Sequence, residues 1–325
     1  MNKLTRSLQI EVVELPLAKP FAISRGTRNA VTVVRVAIEE GGLIGLGECT
    51  PTAHYQQSAE TVVAQLKGVQ AAIEAGATRQ QLADLLPRGS ARNALDCALW
   101  RLTAAQSGTS LWSLTQRAQP RLIVAAETLS LASLEAMVEA AREAVARGAK
   151  LLKIKLDAQQ VLEKVAAIRA VAPLTVLIID ANEAWGSLDL EPLLVALQYH
   201  QIAMVEQPLP AGQDQALSKF QHPIPLCADE SCHDRHDIAG LSGRYELINI
   251  KLDKCGGLSE ALAMVKVAQR REMGVMVGCM LGSSLAMEAA LPVATDAEFV
   301  DLDGPLWLAA DSAPHLVYQN GCIYP

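Results

Sequence analysis

Aromatic side chains are scarce in this sequence, with four Trp, five Tyr and three Phe among 325 residues, so a core must rest on Val, Ile, Leu and Ala. No basic block occurs. Lys and Arg total 28 against 35 Asp and Glu, a net charge of −7, which argues against a role built on nucleic-acid phosphates. No C-x-x-C pair occurs either. The seven cysteines are odd in number and scattered, so reduced thiols and a cytoplasmic setting are expected rather than a disulfide framework. No apolar run approaches the ~18 residues of a membrane helix. The opening stretch has Lys3 and Arg6, then Glu11 and Glu14, which makes a poor signal peptide and a fair strand. Half of the residues are apolar, enough for a large core, and the length allows two domains.

The pattern changes near residue 120. Before it, LQIEVVELPL and AVTVVRVAIEE alternate apolar and polar residues, GGLIGLGE reads as a turn and short strand, and residues 59–75 and 90–106 carry helical spacing. That order suggests an α+β unit over residues 1–118, completed by 304–325. After it, eight short apolar runs, from RLIVAAET to FVDLD, alternate with helical stretches such as SLEAMVEAAREAVARG. Eight runs and seven helices predict a (β/α)7β, TIM-like barrel over residues 119–303, with an open doubly wound sheet as the alternative.

Charged residues end these runs. Lys153 and Lys155 close the second, Asp180 the third, Glu206 the fourth, Asp229 the fifth, Lys251 the sixth, and Asp301 and Asp303 the eighth. From Lys155 to Lys251 the steps are 25, 26, 23 and 22 residues, one βα unit each. All five groups therefore fall at the carboxyl end of the barrel, where catalytic residues sit. Asp180, Glu206 and Asp229 come from neighbouring strands. Three carboxylates without His or Cys suit a hard cation, with Mg²⁺ preferred because substrate and water complete its shell. Lys155 and Lys251, on strands two and six, should face each other across the pocket. Lys153 shares a strand face with Lys155, and its like charge should lower the pKa of Lys155. Two opposed lysines beside a cation suit removal of a proton α to a carboxylate and its return on the other face.

The motifs K-I-K, D-A-N, E-Q-P, A-D-E-S and N-I-K-L-D-K-x-G-G resemble the muconate-lactonising-enzyme subgroup of the enolase superfamily. G-L-G-E-C-T-P at 45–51 and A-R-N-A-L-D-C-A-L-W at 91–100 resemble that family's capping domain. The resemblance covers nearly the whole chain. It implies Mg²⁺ on Asp180, Glu206 and Asp229, acid/base roles for Lys155 and Lys251, and an electrostatic role for Lys153. Asn182 and Glu230 would stand near the metal. Within the subgroup the chain resembles enzymes that epimerise Ala-Glu dipeptides in murein peptide recycling, through three features. Asp301 and Asp303 would anchor the substrate ammonium, Arg25 its acidic side chain, and Thr128 would touch it.

A Glu common after the seventh strand is missing, and Ser283 is the expected hydrogen-bond donor there, with Cys279 beside the substrate. His233 and His236 are read as helix-surface residues, and Gly256-Gly257 as the tight turn that follows Lys251. His54 and Tyr55 either line the pocket or lie on the surface. Two other functions stay open: β-elimination or cycloisomerisation by the same machinery, as in o-succinylbenzoate synthase, and a non-catalytic barrel that binds small anions. A small-molecule dipeptide is the expected partner. The oligomeric state, a homo-oligomer included, stays open.

Overall fold

The alternating N-terminal runs form antiparallel strands, Arg6–Ile23 (β1), Gly26–Glu40 (β2) and Leu43–Cys49 (β3). The computed structural model describes residues 6–325; Lys3 lies outside them. Opposed pairs such as Leu8 with Ile38 and Ile10 with Val36 set the register, so one face of the sheet is apolar. Helices Ala59–Glu74 (α1), Leu82–Leu85 (α2) and Ser90–Ser107 (α3) cover that face and bury Val62, Leu66, Ile73, Leu95 and Leu102 against it. Ser58 starts α1 with a capping box to Thr61. At Gly47 a side chain would put its Cβ 2.0 Å from the Ala94 carbonyl oxygen, so glycine lets β3 lie directly on α3. A short helix, Leu111–Leu114 (α4), ends this unit.

The barrel strands follow. RLIVAAET splits into Ile123–Val124 (β4) and Ala126–Leu129 (β5), and only β5 enters the barrel. The sequence then runs Leu134–Ala146 (α5), Leu151–Lys155 (β6), Val161–Val171 (α6), Val176–Asp180 (β7), Leu190–Tyr199 (α7), Ile202–Glu206 (β8), Leu226–Ala228 (β9) and Leu247–Ile250 (β10). Leu252–Cys255 (α8), Leu258–Arg270 (α9), Gly274–Gly278 (β11), Ser284–Ala294 (α10) and Phe299–Asp301 (β12) complete it. All eight strands pair in parallel and in chain order, β5 to β12. β12 packs back beside β5, so the ring is nearly closed, and the doubly wound alternative is excluded. Two of the seven expected helices are absent. The links β8–β9 and β9–β10 hold only short 3₁₀ turns, Asp214–Lys219 and Ile238–Gly240, because those stretches are too short in apolar period to propagate a helix.

The C-terminal segment divides. Ala309 N–H donates to Pro16 of β1, at 2.9 Å. The last hairpin, Val317–Gln319 (β13) and Cys322–Tyr324 (β14), instead pairs with β4. Among the described residues no helix is long and apolar enough to cross a membrane.

Helix α3 mounts the N-terminal unit on the barrel. Asp96 accepts from the Ser259 backbone N–H (2.8 Å) and hydroxyl (2.6 Å). Burial outweighs these bonds and pushes its carboxyl from 3.8 up to about 6. The folded state thus holds this proton more tightly than the unfolded chain. The resulting stabilisation is complete below the unfolded pKa and is lost as pH rises through about 6. Urea unfolding of Asp96→Asn between about pH 4 and pH 7 should show a pH-dependent loss smaller than that of the parent, by up to about 3 kcal/mol. An unchanged slope would remove this assignment.

Candidate active site

Side chains alternate across a strand, so every second residue points into the barrel. Ala126, Leu151, Ile178, Met204, Cys227, Leu247 and Met276 fill the lower interior with an apolar layer. Two residues further along the same strands come Thr128, Lys153, Asp180, Glu206, Asp229, Asn249 and Gly278. Lys155 and Lys251 stand one step higher, and both line a cavity of about 340 Å³. Gly278 matters here, because a Cβ would lie 2.7 Å from Asn249 Oδ1 and 3.1 Å from Lys251 Cε. The seventh strand thereby leaves room for the lysine.

The charges are buried and interlocked. Lys155 Nζ donates to Asp180 Oδ2 at 2.6 Å, and Lys251 Nζ to Asp229 Oδ2 at 2.6 Å. Lys153 lies 2.7 Å from Asp301 Oδ2, 2.7 Å from Glu206 Oε2 and 3.1 Å from Asp180 Oδ2. Burial opposes the charge of Lys153, but Asp301, Glu206 and Asp180 outweigh burial and hold its pKa well above the ordinary lysine value. Lys153 thus stays charged and is met by three carboxylates. Burial likewise opposes the charge of Lys251, and Asp229, then Glu206, raise its pKa above the usual range.

The acidic trio is unevenly compensated. Burial works to raise Asp180, and Lys155 and Lys153 override it, leaving the carboxyl low. Lys251 and Lys254 do the same for Asp229. Glu206 goes the other way, pushed up by burial and then by Asp180. Its Oε1 accepts from Asn249 Nδ2 at 2.6 Å, while Oε2 lies 2.7 Å from the Lys153 ammonium. A hard cation fits this donor set, since all the ligand atoms would be carboxylate oxygens.

A second group, His54, Glu183 and Glu230, has ligand atoms within 4.8 Å of one another at the cavity rim. Its charge is already met by Arg25, which lies 2.9 Å from Glu230 Oε1 and 3.2 Å from Glu183 Oε2. Arg25 also donates to the Asn182 carbonyl, at 3.2 Å. The β1–β2 turn is thus drawn down over the barrel, with Arg25 and His54 among the cavity walls. Tyr55 packs edge-on to His54 and His233, so His233 sits in a loop at the domain joint rather than on a helix surface.

Thr128, Cys279, Asp301 and Asp303 line the same cavity. The Thr128 N–H donates to Asp303 Oδ2 at 2.7 Å, across the seam between β5 and β12. Burial and Asp301 push Asp303 up to about 6. Burial also raises the Cys279 thiol, which keeps it protonated and unsuited to nucleophilic work. Ser283 departs from its expected role. It is fully buried behind the wall, caps α10, and donates both its N–H and hydroxyl to Glu48 at 2.7 Å. A serine at a helix start is drawn to capping, and that demand wins here.

Residues 136–325 match the model of the enolase C-terminal domain-like family, and residues 6–115 that of the mandelate racemase / muconate lactonizing enzyme N-terminal domain. The chain belongs to the enolase superfamily. Its enolase-superfamily relatives include the L-Ala-D/L-Glu epimerase of Escherichia coli K12, 46% identical over 98% of this chain and 99% of that protein. A solved family member from Agrobacterium tumefaciens, with sodium and L-Ala-L-Glu bound, has a TM-score of 0.95 at 44% identity, covering 98% of each chain. A dipeptide epimerase from Cytophaga hutchinsonii, complexed with Mg and D-Ala-L-Val, has a TM-score of 0.91 at 27% identity, covering 98% of this chain and 92% of that one. By this kinship the chain is an isomerase of the racemase and epimerase type.

Two polar residues of this superfamily barrel escape the sequence reading. Asn249 was legible as the residue two before Lys251 on the same strand face. Lys254 donates to Asp229 Oδ1 and to the Asp229 carbonyl, both at 2.6 Å, and its signal was a lysine inside the apolar stretch NIKLDKCGG.

Proposed function

We propose that this protein is a Mg²⁺-dependent dipeptide epimerase that inverts the α-carbon beside the carboxylate of an Ala-Glu-type dipeptide. The observation that carries the reading is the pair Lys155 and Lys251, set on strands two and six and lining one cavity beside the acidic trio. One lysine takes the α-proton from one face, and the other gives a proton to the opposite face. Asp180 and Asp229 hold the two ammonium groups until substrate enters. Asp180, Glu206 and Asp229 would hold the cation, which when bound supplies positive charge beside the substrate carboxylate as its second negative charge develops. Lys153, pinned between Glu206 and Asp301, adds fixed positive charge beneath it. In this reading the N-terminal unit, joined by the segment around Ala309, caps the site and brings Arg25 to the substrate's acidic side chain. The seven free cysteines support a reducing, cytoplasmic setting, as murein peptide recycling would require.

The substrate ammonium goes to Asp303. Asp301 is already paired with Lys153 at 2.7 Å, whereas Asp303 meets only the neutral donors Thr128 N–H and Trp307 Nε1. Asp303→Asn removes the charge and keeps the shape. The KM for L-Ala-L-Glu should rise by roughly a hundredfold, as for a lost buried ion pair. KM for the N-acetylated analogue, which has no ammonium, should stay near the parent value. Equal effects on both substrates would remove the anchor.

A further inference from the structure

The two lysines are mounted differently. Lys155 is the last residue of β6, paired in register with Asp180 of β7, and Leu156 N–H donates to the Asp180 carbonyl at 3.1 Å. Its position is set inside the barrel. Lys251 lies just beyond β10 and is the N-cap of α8, a single turn. Its carbonyl accepts from Lys254 N–H and Cys255 N–H, at 3.0 and 3.1 Å. Wherever that turn goes, Lys251 goes.

The turn is held from the N-terminal unit. Asp253 Oδ1 accepts from the Thr50 backbone N–H and from Asn93 Nδ2, each at 3.0 Å. Arg92 donates to the Cys255 carbonyl at 2.6 Å. Gly256 and Gly257 follow, with φ of 93° and 114°, and a side chain on either would run into Arg92 or Asp96. The glycine pair is therefore more than the tight turn of the sequence reading: it lets α3 press directly on the segment after Lys251. Asp253 and Asn93 are buried, and their bonds span 160 to 203 residues of sequence. Nothing in the proton-transfer chemistry itself uses Asp253.

We propose that Asp253 is a positioning residue which, through Thr50 and Asn93, ties the aim of Lys251, but not of Lys155, to the docking of the N-terminal unit on the barrel. The inference rests on the epimerase reading above, in which each lysine serves one epimer. A small displacement of one proton-transfer group is enough to matter, since errors near 1 Å cost about a hundredfold. Loss of the Asp253 link should therefore impair one face of the substrate selectively. General loosening of the fold would impair both.

The test is α-proton exchange in D₂O, followed by NMR separately from L-Ala-L-Glu and L-Ala-D-Glu, with Mg²⁺ present. The variant Lys251→Ala identifies the epimer that Lys251 serves. In Asp253→Ala, exchange from that epimer should fall by about tenfold to a hundredfold, and exchange from the other should stay within about twofold. Interconversion slows equally in both directions, as equilibrium demands. Asp253→Asn keeps the Oδ1 acceptor and should recover the selective loss. If Asp253→Ala does not fold, Asn93→Ala removes one of the two donors and should show the same one-sided loss, smaller in size. Equal slowing from both epimers, or none, overturns the proposal while leaving the epimerase reading intact. Absence of exchange from both epimers in the parent protein overturns that reading, and this proposal with it.

Discussion

Replacing Lys251 by Ala is expected to abolish interconversion of the two epimers while sparing loss of the α-proton from one of them. A single remaining lysine still faces one side of the α-carbon. It removes that proton, trades it with solvent, and returns a solvent proton to the same side, so exchange proceeds without inversion. The other epimer presents its proton to the empty side and stays inert. Interconversion should fall by roughly 10³-fold, the typical worth of a positioned acid or base. Lys155→Ala should give the mirror result, with the exchanging epimer switched. Both residues line the same cavity, and both donate to acids at 2.6 Å in the absence of substrate. A pair of variants that lose exchange from the same epimer would place the two lysines on one face and contradict the assignment.

Withdrawal of the cation should be as severe. Protein treated with a chelator is expected to lose α-proton exchange by roughly 10³-fold or more and to regain it with Mg²⁺. Binding should also be visible without turnover. A cation that binds only the folded state stabilises it by about 2.7 kcal/mol at a hundredfold excess over Kd, so Tm should climb with added Mg²⁺. Glu206→Gln tests where the ion sits. The carboxyl of Glu206 is raised by burial and then by Asp180, which Lys153 at 2.7 Å does not offset. The variant removes the charge, so the Mg²⁺-dependent rise in Tm should shrink sharply. An undiminished rise would move the ion elsewhere, with the His54, Glu183 and Glu230 group as the next place to look.

Most of the barrel was legible in the sequence, for a physical reason. One βα unit has a narrow range of lengths, so charges recurring every 22 to 26 residues from Lys155 to Lys251 had to share one end of a parallel sheet. Asp180, Glu206 and Asp229 were legible by the same spacing. What spacing does not carry is the identity of partners. Lys153 and Lys155 look alike as K-x-K and both line the cavity, yet Lys153 is locked among Asp180, Glu206 and Asp301 while Lys155 meets Asp180. Ser283 was assigned to the pocket because its loop follows the seventh strand. Its actual partner, Glu48, lies 235 residues away in sequence, and no local pattern announces such a contact. The same holds for Asp253 with Thr50 and Asn93. The missing helices after β8 and β9 reflect a weaker signal: a strand–helix alternation was extended over stretches that carry no helical period of their own.

The central claim is that separate lysines serve the two faces of one carbon, and the fate of the label in α-deuterated L-Ala-L-Glu turned over in H₂O tests it most directly. At low conversion the inverted product should carry solvent protium at its α-carbon, because the deuterium leaves on one lysine and the incoming proton arrives from the other. Inverted product that retains the substrate's own deuterium would mean that one group handles both faces, and would contradict the account.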